Sequence, residues 1–537
     1  MKKIIKASSI LLLILSIVLV SSCGNKTDEK IKDDDPVEEE IKDDDKNEEE
    51  IVESTEGLEF ELNETKDGYS VVGIGTATDN NIVIGSSYNG LPVTSIGAYA
   101  FYECFGLASI KIIKGVTSID KYAFCECGNL QSVTIPDSVI NIGVNAFYNC
   151  FSLTSIIIPD SVTSIEQQAF SNCSNLINLQ LSKNIKNIDK HTFSRCNSLT
   201  NITIPDGVTS IGSSAFEDCS SLKSITIPES VTSIGDYTFS NCSSLKSITI
   251  PDEVISIGAD AFLNCRSLVS INIPNNIASI GNNAFSNCEE LKYNEYDNAL
   301  YLGNSYNPYV CLIMAKNPSI TTCIINNNTK LIYHNAFEYC SDLTSINIPN
   351  GVTIIGSSAF ENCSSLKSIT IPESVTSIEV CAFEYCSSLK NITIPNSVTN
   401  IGADAFLNCS SLENIIISSS VTSIEQFTFI GCTNLKSIII PNGVTSIAEI
   451  AFGGCTSLET VIIPNSVTSI SHSIFLNCGS LKEVYYTGSA LEWNNIFISN
   501  LNEDLNSKTI YYYSEEEPTE EGNYWHYVDG VATKWDI

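Results

Sequence analysis

Cysteine and histidine are the residue types in this sequence that could most readily carry chemistry. Their thiolates and imidazoles bind metal ions, form disulfides or act as nucleophile and base, and each of these roles needs the side chains close together. The 537-residue chain has 21 cysteines and only 4 histidines. Sixteen of the cysteines follow one another at steps of 23 residues in two runs, Cys104 to Cys288 and Cys340 to Cys478. Such a fixed period predicts a repeat architecture with one cysteine in each unit.

The cysteine period favours a column of buried, reduced thiols over disulfides or a metal site. Each cysteine lies between a phenylalanine and the next leucine of the unit, which is an interior position where cysteine acts as a small apolar residue. Neighbouring Cα atoms would be about 5 Å apart, within reach of a disulfide, so bridging along the stack is the alternative. Cys125 beside Cys127 is the only close pair off the column, and it is too isolated to predict a metal site.

The histidines lie too far apart to work together. His334 and His472 are separated by 138 residues, which is six units and about 29 Å along a stack of strands. His191 precedes His334 by about six units, and His526 follows the last unit. We therefore predict no catalytic residues, no metal site and no cofactor, because neither a metal cluster nor an activated nucleophile can be assembled over such distances.

The repeated unit reads L-x-S-I-x-I-P-x-x-V-T-S-I-G-x-x-A-F-x-x-C-x-x, and Leu222 begins a clean copy. Leu222, Ile225 and Ile227 have the spacing of a strand that turns these side chains inward. Pro228 ends the strand because it cannot donate a ladder hydrogen bond. A second short strand follows, and the Ala-Phe segment is predicted to form a short helical or 3₁₀ turn. Since stacked units share their core columns, we predict a mainly β repeat solenoid with parallel strand ladders and about 17 coils of 23 residues.

The period is broken once, because 52 residues separate Cys288 from Cys340. Two apolar runs in this interval, 299–302 and 310–314, predict strands around a Gly–Pro loop. The predicted organisation is a signal peptide (1–22), a disordered acidic tether that begins with a cysteine (23–56), an N-terminal β cap that leads into the repeats (57–97), repeat block 1 (98–292), a degenerate enlarged repeat with a hairpin insertion (293–336), repeat block 2 (337–483) and a C-terminal aromatic cap (484–537).

Residues 1–22 have the pattern of an export signal. Lysines precede an apolar run that is too short to span a bilayer comfortably. The five residues that end at Cys23, Leu-Val-Ser-Ser-Cys, resemble a bacterial lipobox, which implies that this cysteine carries a lipid and begins the mature chain. An ordinary cleaved signal followed by a chance cysteine is the alternative. Residues 26–56 hold 16 Asp and Glu against 5 Lys, so we expect a disordered, extended tether.

The unit as a whole resembles the BspA-like branch of the leucine-rich repeat family. The resemblance covers about residues 68–513, and it is carried by Ile-Pro, Thr-Ser-Ile-Gly, Ala-Phe and Cys recurring in fixed order. The stretch 69–97 and the Tyr-Tyr-Thr-Gly at 485–488, with Trp493, look like the first and last segments of the family. The resemblance implies a bacterial surface lipoprotein, since several family members are implicated in adhesion to host matrix or to other cells. No ligand-binding residue can be carried over.

The best candidate for a binding surface is the outward side of the first strand in each coil. Its small polar residues suit many weak contacts with an extended protein or glycan, although such residues are also ordinary strand-surface residues. The candidate ligand face consists of Ser132, Thr134, Ser155, Asn201, Thr203, Ser224, Thr226, Ser247, Thr249, Ser270, Ser368, Thr370, Asn391 and Thr393. The tryptophan- and tyrosine-rich residues 484–537 are predicted to cap the last coil, with a glycan- or choline-binding module as the alternative.

The formal net charge of −34 argues against a nucleic-acid partner, because binding a polyanion requires Lys and Arg to replace its counterions. We predict a non-enzymatic, monomeric lipoprotein that is exported and lipid-anchored at the bacterial cell surface. Its role would be protein–protein interaction, in the form of adhesion to an extracellular protein or glycan. A structural or nutrient- and glycan-capturing envelope protein is the alternative, and abundant acidic residues keep a carbohydrate-active enzyme as a third.

Overall fold

The computed structural model describes residues 52–536. The predicted signal peptide, the lipid site at Cys23 and nearly all of the predicted tether lie outside the described residues. Residues 52–56, which the sequence assigns to the tether, contact the first repeat strand. The Thr55 N–H donates to the Val83 carbonyl at 2.9 Å, and the Gly85 N–H donates to Ser54 Oγ at 2.8 Å.

Five strands form the N-terminal cap and the first coil. They are β1 Glu59–Leu62, β2 Tyr69–Gly73, β3 Asn81–Ile84, β4 Ser87–Tyr88 and β5 Leu91–Ile96. Strands β1 and β2 pair antiparallel, β2 pairs parallel with β5, and β4 pairs antiparallel with β5. Phe60 stacks on Tyr88 with ring centroids 4.0 Å apart, and the Tyr69 ring meets both edge-on. This aromatic group closes the cap that the sequence predicts at 57–97.

In block 1 each coil contributes a first strand of three or four residues and a second strand of two. The strands are β6 Ser109–Ile112, β7 Ser118–Ile119, β8 Ser132–Thr134, β9 Asn141–Ile142, β10 Ser155–Ile157, β11 Ser164–Ile165, β12 Asn178–Gln180, β13 Asn187–Ile188, β14 Asn201–Thr203, β15 Ser210–Ile211, β16 Ser224–Thr226, β17 Ser233–Ile234, β18 Ser247–Thr249, β19 Ser256–Ile257, β20 Ser270–Asn272 and β21 Ser279–Ile280. Pairing between coils is parallel and in register; for example, Asn201 faces Ser224.

The Ala-Phe segment forms a hydrogen-bonded turn in each coil, and not the short helical or 3₁₀ turn that was predicted. Two residues four apart, such as Tyr237 (φ 56°) and Asn241 (φ 61°), adopt the left-handed conformation, which interrupts a right-handed helix. As a result, alternate N–H groups bond to different coils. The Phe239 N–H donates to Ala261 of the next coil, whereas the Cys242 N–H donates to Phe239 of its own coil. The turns therefore add a second ladder between coils.

In the interior, equivalent residues of successive coils lie above one another in columns. Consecutive phenylalanine rings lie nearly parallel, with centroids 5.1–5.9 Å apart in block 1. Each ladder cysteine after the first of its run donates its thiol to the phenylalanine carbonyl of the preceding coil, as Cys242 does to Phe216 at 3.2 Å. Among residues 52–536 all cysteines are free thiols. Burial raises the pKa of Cys173 and Cys432 to about 12, so these thiols stay protonated.

The stack changes between residues 293 and 336, where the sequence predicts an enlarged repeat. The strands are β22 Asn294–Tyr296, β23 Ala299–Leu302, β24 Cys311–Ala315, β25 Thr322–Ile324 and β26 Leu331–Ile332. Strands β22, β23 and β24 form an antiparallel meander, and β24 then pairs parallel with β26. The predicted hairpin corresponds to β23 and β24. The interior divides here into two clusters, one for each block.

Two neighbouring side chains bridge this junction. The Tyr333 ring lies 5.9 Å from Phe285 but is tilted by 41°, so it continues the aromatic column without stacking in parallel. Its hydroxyl donates to the Gly281 carbonyl at 3.1 Å. The Asn283 N–H donates to Nε2 of His334 at 2.8 Å. The short second strands in the later part of block 1 form one sheet, and those at the start of block 2 belong to another. Individual side-chain contacts therefore connect these two sheets.

Block 2 returns to the regular coil. Its strands are β27 Ser345–Asn347, β28 Ile354–Ile355, β29 Ser368–Thr370, β30 Ser377–Ile378, β31 Asn391–Thr393, β32 Asn400–Ile401, β33 Asn414–Ile416, β34 Ser423–Ile424, β35 Ser437–Ile439, β36 Ser446–Ile447, β37 Thr460–Ile463 and β38 Ser469–Ile470. Phenylalanine stacking resumes at Phe337, with centroids 5.2–5.6 Å apart as far as Phe475.

The C-terminal region extends the stack and then folds back on it. Its elements are β39 Glu483–Tyr486, α1 Ala490–Asn494, β40 Phe497–Ile498, α2 Glu503–Asn506, β41 Thr509–Tyr513, β42 Tyr524–Val528 and β43 Val531–Lys534. Because β39 and β41 pair parallel beyond the last cysteine, the solenoid has about 19 turns, which corrects the figure of about 17 that the cysteine period predicts. Neither helix of the described part is long and apolar enough to span a membrane.

Candidate functional site

The outward side chains of the first strands lie along one side of the solenoid, and we call this surface the first-strand face. The strands beneath it pair in separate small sheets, such as β10 with β12 and β14 with β16. In each coil the middle residue of the strand points inward, as Ile225 does, and the flanking residues point outward, as Ser224 and Thr226 do. All fourteen residues of the predicted ligand face are exposed: Ser132, Thr134, Ser155, Asn201, Thr203, Ser224, Thr226, Ser247, Thr249, Ser270, Ser368, Thr370, Asn391 and Thr393. Strict alternation places them on one side of the solenoid.

Two rims of opposite charge border the first-strand face. The residue before the first strand is often lysine, and we call this column the basic rim. The residue after the proline that ends the strand is often acidic, and we call this column the acidic rim. All members named here are exposed: Lys223, Lys246, Lys367 and Lys390 in the basic rim, and Asp206, Glu229, Asp252 and Glu373 in the acidic rim. The face is thus polar across its centre and bordered by opposite charges in the coils of Ser224, Ser247 and Ser368, whereas Glu413 and Glu459 stand in the basic rim and Lys183 stands in the acidic rim.

Two depressions bring predicted residues together. The larger, about 600 Å³, is lined by Ser132, Thr134, Ser155 and Asn201, with Ile157 in their midst. The smaller, about 330 Å³, is lined by Ser368 and Thr370 together with outward residues of β25 and β27. The other predicted residues lie along the face without being gathered into a depression in either place. The face is therefore an extended surface with shallow hollows and no deep pocket of its own.

Sequence reasoning missed the apolar members of this face. Ile157, Ile324, Ile416 and Ile439 occupy the column that holds threonine in six other coils, and they are 63%, 64%, 64% and 56% exposed. Their side chains are as outward as the threonines because the strand alternation is unchanged. Their position in the unit was the available signal, since it falls between two inward residues. An apolar residue at an outward position is a candidate contact for a partner.

The C-terminal hairpin of β42 and β43 covers one end of the first-strand face. The Trp525 ring is fully buried against Ile462 and Tyr485, both outward residues of their strands, and its indole N–H donates to the Tyr486 carbonyl at 2.9 Å. Lys534 bonds to Glu483. Burial alone would raise the pKa of this carboxyl, but bonds from Lys534 and Tyr485 hold it below its usual value.

The four histidines remain apart in the structure. His191 lies beside Glu217, His472 beside Glu449, His334 is at the junction, and His526 stacks on Trp535 in the C-terminal hairpin. Within residues 52–536, no three His, Cys, Asp or Glu side chains are grouped as metal ligands would be.

A profile of the BspA type leucine rich repeat region (six copies) matches residues 94–223, 209–307, 314–433 and 399–511. Three solved structures are similar. A leucine-rich repeat protein from Bacteroides ovatus is 26% identical, with 86% of this chain and 99% of that one covered and a TM-score of 0.39. A leucine rich cell surface protein from Faecalibacterium prausnitzii is 31% identical, with 82% and 96% covered and a TM-score of 0.33. The pneumococcal vaccine antigen PcpA is 20% identical, with 85% and 94% covered and a TM-score of 0.27. No curated protein matches.

The profile matches extend over most of the chain and coincide with the coils described above. They confirm the predicted repeat solenoid and the resemblance on which the sequence analysis drew. The chain belongs to the BspA-type leucine-rich repeat family.

Proposed function

We propose that this chain is a non-enzymatic surface protein whose first-strand face binds an extracellular protein and thereby mediates adhesion. The observation that carries the proposal is the polar, exposed face with opposite charges at its two borders in the coils of Ser224, Ser247 and Ser368. Complementary charge steers partners and fixes their register more than it adds affinity. An extended protein segment with acidic groups along one border and basic groups along the other would match this pattern.

Binding to a panel of purified matrix and cell-surface proteins tests the proposal, with residues 24–537 as the analyte. We expect saturable binding to at least one protein. The variant Lys223→Glu with Lys246→Glu should weaken that binding by about tenfold at low salt, because it reverses the charge of the basic rim. Lys121→Glu with Lys186→Glu, at exposed positions off the face, should have little effect.

Failure to bind any protein of the panel would contradict the adhesive function. Saturable binding to glycans alone would favour the alternative, a glycan- or nutrient-capturing envelope protein. Trp525 is buried against the strands that its hairpin covers. Its ring is therefore not free to stack on a sugar, which favours a cap rather than a glycan-binding module for the aromatic C-terminus.

We further propose that the chain is exported and held at the cell surface by a lipid on Cys23. The support is the apolar run and the Leu-Val-Ser-Ser-Cys motif of the sequence. Metabolic labelling of producing cells with an alkyne fatty acid should mark the wild-type chain. The Cys23→Ala variant should remain unlabelled, and equal labelling of both chains would refute lipid attachment at this residue.

A further inference from the structure

Two exposed isoleucines near the C-terminal end form an apolar strip on the first-strand face. Ile416 ends β33 and Ile439 ends β35, and they are 64% and 56% exposed. We call this pair the apolar ledge. The equivalent residue in the preceding coil is Thr393, and the column holds threonine in several other coils. Adjacent exposed β-branched apolar residues leave a surface from which water is readily displaced.

The ledge continues an interface that the chain already makes with itself. Ile439 pairs in register with Ile462 of β37, the next residue of the same column. Ile462 is only 7% exposed because Trp525 of the C-terminal hairpin packs on it. The column thus passes from covered at Ile462 to uncovered at Ile439, its partner in register, and at Ile416 of the neighbouring strand β33, which belongs to a separate sheet.

Trp525 indicates what kind of group this column binds. Its ring packs edge-on against Tyr485 at 5.3 Å, and its indole N–H donates to a strand carbonyl. Aromatic rings bury a large apolar area, and Trp and Tyr add a polar edge that needs a partner. The ledge offers apolar surface for such a ring. It also offers hydrogen-bonding partners for the polar edge, because the exposed polar residues Asn414 and Ser437 begin the same two strands.

We propose that the apolar ledge docks an aromatic side chain carried by an extended segment of a protein partner. The inference rests on the proposed function, since it names the anchor of a protein-binding face. A ledge of two residues has room for one ring, so it supplies a local hot spot while the polar columns and rims supply register.

The test uses the full chain and a probe taken from its own sequence. The probe is a synthetic peptide of residues 524–534, which carries Trp525, and the control peptide replaces Tyr524, Trp525 and Tyr527 with alanine. Binding is followed through the ¹³C-labelled methyl groups of isoleucine. We expect the Ile416 and Ile439 methyl signals to shift with the tryptophan peptide and not with the alanine peptide.

A matched set of variants assigns the binding to the ledge. Ile416→Thr with Ile439→Thr installs the residue that this column carries elsewhere, so folding should be preserved. We expect this variant to bind the tryptophan peptide at least about tenfold more weakly, because apolar surface is lost at both positions. Ile157→Thr, in the same column of block 1, should bind as the wild type does. Equal binding by the ledge variant, or by the alanine peptide, would overturn the proposal.

The ledge and the adhesive function can fail independently. If a protein partner is weakened by the Lys223→Glu and Lys246→Glu pair but not by the ledge variant, the function stands and the ledge is refuted. If the peptide binds at the ledge while no protein of the panel binds the chain, the adhesive function is contradicted and the ledge stands.

Discussion

The regular stack around Phe239 and the junction at residues 293–336 solve the same packing problem in different ways. In the stack, each phenylalanine lies parallel to its neighbours and each buried thiol bonds to the preceding coil. At the junction, one tilted tyrosine continues the column, and hydrogen bonds from Tyr333 and to His334 replace part of the ladder. The comparison teaches that repetition spreads stability over many equivalent contacts, whereas the interruption concentrates it in a few.

The largest effect is expected from removing one ring of the stack. Phe239→Ala should lower the free energy of unfolding by about 3–5 kcal/mol, because the fully buried ring leaves a cavity between two well-ordered neighbours. Urea denaturation followed by circular dichroism measures the change. Phe105→Ala removes a ring that is 57% exposed and serves as the control. Equal losses in the two variants would show that the stack is not the main source of stability.

The thiol column should contribute less per residue. Cys242→Ala removes a buried sulfur and its bond to the Phe216 carbonyl, so we expect a loss of about 1–2 kcal/mol. Cys104 is only partly buried, and the coil before it has no phenylalanine whose carbonyl could accept its thiol. Cys104→Ala should therefore lower the free energy of unfolding by less. The same urea titration compares the two. If Cys104→Ala were the more damaging change, the role assigned to the thiol bond would be wrong.

A smaller effect is expected at the junction from a single hydroxyl. Tyr333→Phe keeps the ring against Phe285 but removes the bond to the Gly281 carbonyl, and should cost about 1 kcal/mol. Tyr306→Phe, at a side chain that is 91% exposed, should be silent. Proteolysis of the native chain at the junction offers a second readout. Unchanged stability and unchanged cleavage in Tyr333→Phe would mean that the two blocks are joined by other contacts.

The smallest expected effect is a pH dependence of stability that comes from His334 at the junction. Burial lowers the pKa of His334 below the ordinary 6.5, so the folded chain keeps this imidazole neutral while the unfolded chain takes up a proton. Its contribution to stability should therefore be lost as pH falls below about 6.5, and this loss should be smaller than that in Tyr333→Phe. In His334→Gln this part of the pH dependence should vanish, whereas His472→Gln should retain it. Unfolding measured at pH 7.5, 6.5 and 5.5 decides between these outcomes.

The sequence predicts most of the stack because its periodicity is strict. Leu222 and Ile225 point inward and Ser224 points outward, as simple alternation requires. The left-handed turn at Tyr237 was not predictable, since tyrosine carries no signal for a positive φ and the turn depends on bonds to the next coil. The fold-back of Trp525 onto Ile462 was missed for a related reason. It joins residues far apart in the sequence, so no local pattern reveals which surface the aromatic segment covers.

The ladders between coils also determine how the molecule responds to force. Their hydrogen bonds run from coil to coil, so a pull on the two ends loads the coils in series and detaches them one at a time. Each detached coil releases 23 residues, or about 80 Å of extended chain. The regular coils would lengthen the protein in equal steps, whereas the junction, where 52 residues separate Cys288 from Cys340, would release a longer segment. The same feature that stacks the coils would make the solenoid extensible, because each detached coil absorbs part of the load.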